Sequence, residues 1–228
     1  MAVDQAILES ANETGQTTLR FYQWTPATVS LGYFQSINDR DGHSASVNAP
    51  LVRRATGGGA IVHDRELTYS LCVPSRSRWA DENQLIYTRM HSALIDCLAE
   101  SGVTASLVEQ PAKFDKEPFL CFQRRAVGDV LCRDFKICGS AQRRIEKSIL
   151  QHGSILLSQS PAAPELPGVN ELENKSISPE ELQTKLLDHI ARNFELEFES
   201  GELSASERIK SDEIQRNRFQ SDGWTAKR

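Results

Sequence analysis

Four segments of this 228-residue chain hold residue types and spacings that can do chemistry. The first is Arg53-Arg54-Ala55-Thr56-Gly57-Gly58-Gly59-Ala60-Ile61-Val62-His63-Asp64. Three successive glycines lose backbone entropy on folding and add no packing, so they are tolerated where the chain must take φ > 0 or lie close to a ligand. Their N–H groups can cradle a carbonyl or phosphate oxygen, and Arg54 can clamp an anion. The plainer reading is a glycine-rich turn between strands. No Gly-Lys-Ser/Thr follows, so this is not a nucleotide P-loop. A strand follows rather than a helix, so it is not a dinucleotide fingerprint either.

The second segment is Lys136-Ile137-Cys138-Gly139-Ser140-Ala141-Gln142-Arg143. Lys136 opens an apolar strand, where it is either a solvated surface residue or a partly desolvated, fixed cation. The third is Phe119-Leu120-Cys121-Phe122. A cysteine between aromatics is usually core, but this one lies in a loop flanked by Pro111 and Pro118. Arg124-Arg125 follow closely enough to favour a thiolate. The fourth is Leu150-Gln151-His152-Gly153-Ser154, where His152 is an acid/base group or a hydrogen-bonded structural residue. No nucleophile elbow supports serine hydrolysis, and His63-Asp64 has no second histidine at ligand spacing, so no metal site is expected.

Elements must be found to position these groups. Residues 2–14 show helical spacing of apolar side chains, and 82–100 show it most clearly, stopping at Gly102. Short strands are expected at 18–24 and 27–31, around Thr25-Pro26, with a polar loop through Ala49. Further strands are expected at 51–54, 60–63, 67–73 and 103–108. A hairpin at 127–132 and 135–143 turns at Arg133-Asp134, and 148–157 forms a third strand beside it. The Pro-rich stretch 158–168 marks a composition shift. Two helices then close the chain, each with a capping-box pattern, Ser178 with Glu181 and Ser204 with Glu207. Strands in runs with irregular helices predict an α+β fold, a mixed, largely antiparallel sheet flanked by helices. Residues 1–157 form the catalytic domain in this reading. Residues 158–228 are a connector and helices packed on it.

Hydrophobic residues at 39% and charged residues at 25% are the balance of a globular chain with an ordinary core. The net charge of -5 gives no support to nucleic-acid binding. No apolar run reaches the 18 residues of a membrane span, and the N-terminus lacks signal-peptide character, so the expected compartment is the cytoplasm. Five cysteines (Cys72, Cys97, Cys121, Cys132, Cys138), an odd number without C-x-x-C spacing, disfavour disulfides and zinc.

Taken together, the segments resemble the biotin/lipoate protein ligase and lipoyltransferase superfamily. The likeness runs from Met1–Leu8 through Tyr22-x-Trp24-x-Pro26-x-x-Val29-Ser30-Leu31-Gly32-Tyr33-x-Gln35 and the glycine segment. It continues through Glu66-Leu67-Thr68-Tyr69-Ser70, Lys136–Arg143 and Leu150–Ser154, covering roughly residues 1–157. Within the superfamily the chain is most similar to the cysteine-dependent octanoyltransferases and lipoyl amidotransferases, which carry a Cys-Phe pair in a loop ahead of the lysine strand. Cys121-Phe122 is that pair here.

The resemblance implies that Cys121 is an acyl-thioester nucleophile and Lys136 the cation that favours its thiolate. It places Arg54, Gly57, Gly58, Gly59, Ala60, Ile61, His63, Gly139, Ser140, Ala141, His152 and Gly153 around the acyl group. It implies an octanoyl-acyl carrier protein as donor and a lipoyl domain or glycine-cleavage H protein as acceptor, with a monomeric enzyme and no metal or ATP. It also implies a strand ahead of the first helix, whereas this chain begins inside that helix.

Two other readings stay open. One is an ATP-dependent lipoate–protein ligase, using ATP and Mg, with Cys121 incidental. The other is an acyl-binding relative without turnover. The Glu66–Tyr69 run favours the transferase, since ligases more often place Gly-Asn there, and the short stretch after residue 157 points the same way. Arg124, Arg125, Arg143 and Arg144 are the expected basic rim for an acidic acceptor domain.

Overall fold

The computed structural model describes residues 1–227. Its centre is β5, Glu66–Val73, with all eight residues buried. Its sequence alternates Leu67, Tyr69, Leu71 and Val73 with Thr68, Ser70 and Cys72, so two different faces need covering. The large residues pack under α2, Asn83–Glu100, and α4, Pro179–Phe194, in the main core. Of the small ones, Ser70 and Cys72 face α1, Ala2–Thr14. There Ser70 Oγ donates to Asp4 at 2.8 Å, and Tyr22 and Arg20 also bond to this carboxylate. Burial alone would raise the Asp4 carboxyl, but the N-terminal amine, Arg20 and Ser70 outweigh it and hold the group at about 2.

Around β5 a six-stranded antiparallel sheet assembles in the order β1-β5-β9-β8-β7-β6. Its other members are β1 (Thr18–Tyr22), β6 (Ala105–Leu107), β7 (Val130–Cys132), β8 (Phe135–Ile145) and β9 (Ser148–Leu156). A second sheet has β2 (Thr28–Leu31) between β3 (Leu51–Arg53), which runs parallel to it, and β4 (Ile61–His63), which runs antiparallel. Its own core of Val29, Leu31, Val62, Leu120 and Phe122 draws the Cys121 segment against it. The architecture is the expected α+β arrangement of a mixed, largely antiparallel sheet with flanking helices.

The differences from the sequence reading are local. The polar stretch before Ala49 contains two 3-10 turns, Ile37–Gly42 and Ser44–Ser46, the first capped by Ser36. The strand expected from Val127 starts only at Val130, because Gly128 turns the chain with φ +86. Two short helices, α3 (Val169–Glu173) and α6 (Asp222–Thr225), join α4 and α5 (Ala205–Ile214) in the C-terminal part. The Ser204 capping box is complete, with Ser204 Oγ accepting from the Glu207 amide and Glu207 accepting from the Ser204 amide. The Ser178 box is only half made. Its hydroxyl accepts from the Glu181 amide, but the Glu181 carboxylate pairs with Lys185 at 2.8 Å.

Beyond the Pro-rich stretch, Leu182, Leu186, Ile190 and Phe194 of α4 enter the main core. Burying each such side chain stabilises the fold by about 1.5–3 kcal/mol. Among the described residues no helix is long and apolar enough to cross a membrane.

Candidate active site

A cavity of about 340 Å³ lies between the glycine segment and strands β8 and β9, with Tyr22, Trp24 and Thr68 also on its wall. Cys121, Lys136, Arg54, Gly57, Gly58, Gly59, Ile61, His63, Gly139, Ser140, Ala141, His152 and Gly153 all line it. Ala60 does not. It is fully buried in a bridge to Leu120, where Ala60 N donates to Phe119 O at 2.9 Å and Cys121 N donates to Ala60 O at 2.7 Å. Its role is to dock the cysteine loop on the glycine segment.

Cys121 opens a 3-10 turn, Cys121–Gln123, and is the one half-buried cysteine of the five. The other four thiols are buried in the cores, and burial pushes Cys97 and Cys132 up to about 11 and Cys72 and Cys138 higher still. They pack as small hydrophobes. The glycines explain how Cys121 fits. Gly58 has φ +97, and a Cβ there would lie 2.9 Å from Arg54 Nη2 and 3.7 Å from the Cys121 sulfur. A Cβ on Gly59 would press on Cys121 N and on the Arg124 side chain.

The Arg54 guanidinium is buried and used internally. It donates to Ser30 O (2.9 Å), Gly57 O (2.8 Å) and Gly59 O (2.7 Å), so its geometry is that of a staple holding the glycine loop. Burial holds it down at about 10.

Lys136 is buried, not solvated. The β7–β8 register slips between Val130 and Leu131, a bulge that re-aims a side chain, and Lys136 turns to the cavity. Gly139 leaves the room, since a Cβ there would overlap the lysine's Cε and Nζ. Lys136 Nζ lies 3.9 Å from Cys121 Sγ and 3.5 Å from Cys121 O. It forms an ion pair with Asp129 Oδ2 at 2.8 Å.

Asp129 was not singled out by the sequence. Its signal was a lone acid at the head of an apolar strand, Val127-Gly128-Asp129-Val130. Its second oxygen accepts from Tyr87 OH at 3.0 Å, and Oδ2 also accepts from the Ala126 amide at 2.7 Å. Because a buried carboxylate left without partners is expensive, these bonds fix where the ammonium sits.

The remaining wall is a locked polar network. His63 Nδ1 donates to Glu66 (2.8 Å), its Nε2 accepts from Ser30 (2.8 Å), and its ring stacks on Trp24 at 4.3 Å. Trp24 Nε1 donates to Thr68 Oγ1 at 3.0 Å. Two further histidines lie close by. His152 bonds Thr56 at 2.7 Å, and His91 donates to Gly128 O while accepting from Ser140 at 2.7 Å. Burial lowers each to about 4. Sequence reasoning missed His91 and Tyr87, which face the sheet from α2 and carry no motif of their own.

Of the four arginines expected at a basic rim, Arg124 and Arg125 line the cavity. Arg143 instead lines a small cleft beside α1, with Nη1 3.4 Å from Ala55 O, and Arg144 lies on the outer surface. Alternation along β8 sets Arg143 and Arg144 on opposite faces of the strand.

A half-open thiol against a fixed ammonium on the wall of a cavity is an arrangement for nucleophilic acyl chemistry. A model of the lipoyl protein ligase A/B catalytic domain family matches residues 1–191. The chain is 31% identical over 260 residues to octanoyltransferase LipM of Brevibacillus brevis, covering 100% of this chain and 94% of that protein. It is 30% identical over 235 residues to octanoyltransferase LipM of Clostridioides difficile, covering 91% and 87%. A bi-partite lipoate protein ligase from Thermoplasma acidophilum superposes with a TM-score of 0.76 at 19% identity, over 99% of this chain and 89% of that one, a likeness of fold alone. With the match extending over residues 1–191, the chain belongs to the lipoyl protein ligase A/B catalytic domain family.

Proposed function

We propose that this chain moves an octanoyl group from a carrier-protein thioester, through a thioester on Cys121, to a lysine of a lipoyl domain. The observation that carries the reading is the Cys121–Lys136 pair, 3.9 Å apart on the wall of the cavity. The octanoyltransferase relatives, at about 30% identity over nearly their whole length, supply the acyl group and the lipoate pathway.

The Cys121 thiolate attacks the donor's thioester carbon, and the C–S bond to the carrier breaks, releasing the carrier thiol. Donor and acyl-enzyme are both thioesters, so this exchange is close to neutral and needs no ATP and no metal. The acceptor lysine, as its neutral amine, then attacks the acyl-enzyme. The C–S bond to Cys121 breaks, an amide forms, and the amine's proton leaves with the thiolate or solvent. The ammonium of Lys136 favours the thiolate both as nucleophile and as leaving group. Of the two arginines at the cavity wall, Arg124 already pairs with Glu117 at 2.9 Å, which leaves Arg125 as the group for an acidic partner.

The test is transfer from octanoyl-carrier protein to a lipoyl domain without ATP. Transfer that disappears in Cys121→Ala supports the proposal. Modification of the domain from free octanoate or lipoate, dependent on ATP and unchanged in Cys121→Ala, would replace it with the ligase reading. Octanoyl binding without either reaction would leave an acyl-binding protein.

A further inference from the structure

The segment around Trp224 is bonded to the end of β3, next to the loop that follows β2. Arg53, fully buried at the end of β3, is the link. Its Nη1 donates to Gly32 O at 2.9 Å and Gln35 O at 2.7 Å, fixing the loop that follows β2. On its other side, Arg53 Nε donates to Thr225 O at 3.1 Å, and Arg53 O accepts from Trp224 Nε1 at 2.8 Å. The strap carrying Trp224 is anchored independently. Arg218 stacks on the indole at 4.3 Å and donates to Gln5 of α1 at 2.7 Å, and Lys227 Nζ donates to Tyr33 OH at 2.5 Å.

The 32–35 loop touches both segments that place the thiol. A Cβ on Gly32 would collide with Gly58 O, so the loop lies directly against the glycine that faces the Cys121 sulfur. Gln35 accepts from Gly32 N at 2.9 Å and donates to Phe119 O at 3.1 Å, two residues before the cysteine. Tyr33 N donates to Thr56 O at 2.8 Å, joining the loop to the start of the glycine segment.

We propose that Arg53 and Trp224 are positioning residues for Cys121, and that the C-terminal strap sets the geometry of acyl loading through the 32–35 loop. The inference rests on the reading of Cys121 as the nucleophile. A multidentate buried guanidinium suits this role, because its fork fixes several carbonyls at once in a way a lysine cannot. Displacing a reacting group by about 1 Å can slow a reaction by roughly 100-fold, so loosening a remote clamp is visible in rate.

The experiment uses the full chain with Trp224→Ala, Trp224→Phe and Arg53→Lys. Its readouts are the iodoacetamide alkylation rate of Cys121, hydrogen exchange, and acyl loading from octanoyl-carrier protein. In Trp224→Ala the account expects the kcat/KM of loading to fall roughly tenfold and alkylation of Cys121 to change with it. Amide protection should drop at Tyr33 and Cys121 while α2 and α4 keep theirs. Trp224→Phe keeps the face for Arg218 and should recover part of the loss.

Unchanged loading, alkylation and local protection in folded Trp224→Ala and Arg53→Lys would overturn the proposal. So would a protection loss spread equally over α2, which marks general destabilisation. If the native protein takes up no acyl group at all, the functional reading fails, and the alkylation and exchange arms still decide whether the strap positions Cys121.

Discussion

The two sides of the cavity are built on opposite plans. On the Trp24–His63 side the ring groups that define the wall are bonded inside the protein, His63 between Glu66 and Ser30 and Trp24 to Thr68, while Ser154 Oγ and Glu66 Oε2 have no bonded partner among the described residues. On the Cys121 side the ammonium and carboxylate satisfy one another at 2.8 Å, and the thiol has only the more distant Nζ at 3.9 Å. The first plan gives shape, since a hydrogen-bonded network restrains the groups it holds. The second leaves one reactive atom free within a rigid frame. Chemistry is expected at the open thiol, and selectivity for the bound group along the bonded wall.

Breaking the reactive side has the largest expected effects. Lys136→Met should lower acyl loading and Cys121 alkylation at neutral pH by about 10²–10⁴-fold, the range for loss of a positioned group that activates a nucleophile. It should also destabilise the protein by about 3–5 kcal/mol in denaturant melts, because Asp129 is left charged and buried. Adding Asp129→Asn to Lys136→Met should recover stability and not activity, separating the two roles of the pair. Should the double variant recover both, the lysine would be structural only.

Breaking the locked side should move stability and KM before kcat. His63→Ala takes one partner each from Glu66, which keeps Thr68, and Ser30, which keeps Arg54, and the expected loss is about 1–3 kcal/mol by denaturant titration. His91 and His152 offer a test by pH. Their folded values of about 4 lie below the unfolded 6.5, so the unfolded chain binds more protons between those limits. The stability that each neutral ring contributes is full above pH 6.5 and is lost as pH falls toward 4, by up to about 3 kcal/mol per ring. Midpoints measured from pH 7 to 4.5 should fall, and His152→Gln should flatten the slope. A flat profile in the native protein would show that these rings are not buried neutral.

Away from both sides, Ser204→Ala removes a helix cap and should cost about 1 kcal/mol, with no change in acyl loading. It is the control for destabilisation without a change at the site.

The sequence carried the elements well where periodicity ran long. The helix over 82–100 and the alternation of 67–73 follow directly from which residues must be buried. It carried the site as separate segments, because Cys121, Lys136 and the glycines each have a recognisable neighbourhood. What it did not carry is pairing across distance. Asp129 is silent in sequence, since one acid near a strand has meaning only once the bulge brings Lys136 to it. Arg54 presents as an anion clamp until the fold shows its fork filled by three carbonyls of its own neighbourhood. Arg143 and Arg144 look like rim residues beside Arg124 and Arg125, and only the course of β8 separates them. The half-made cap at Ser178 has the same cause, a nearby Lys185 that competes for Glu181.

The central claim is that Cys121 takes up the acyl group. Incubation with octanoyl-carrier protein, followed by intact mass measurement, tests it most directly. The account predicts a gain of one octanoyl unit on the native chain, sensitive to hydroxylamine, absent in Cys121→Ala and retained when any of the four buried cysteines is replaced. A native chain that gains no acyl mass, or a Cys121→Ala chain that still does, would contradict it.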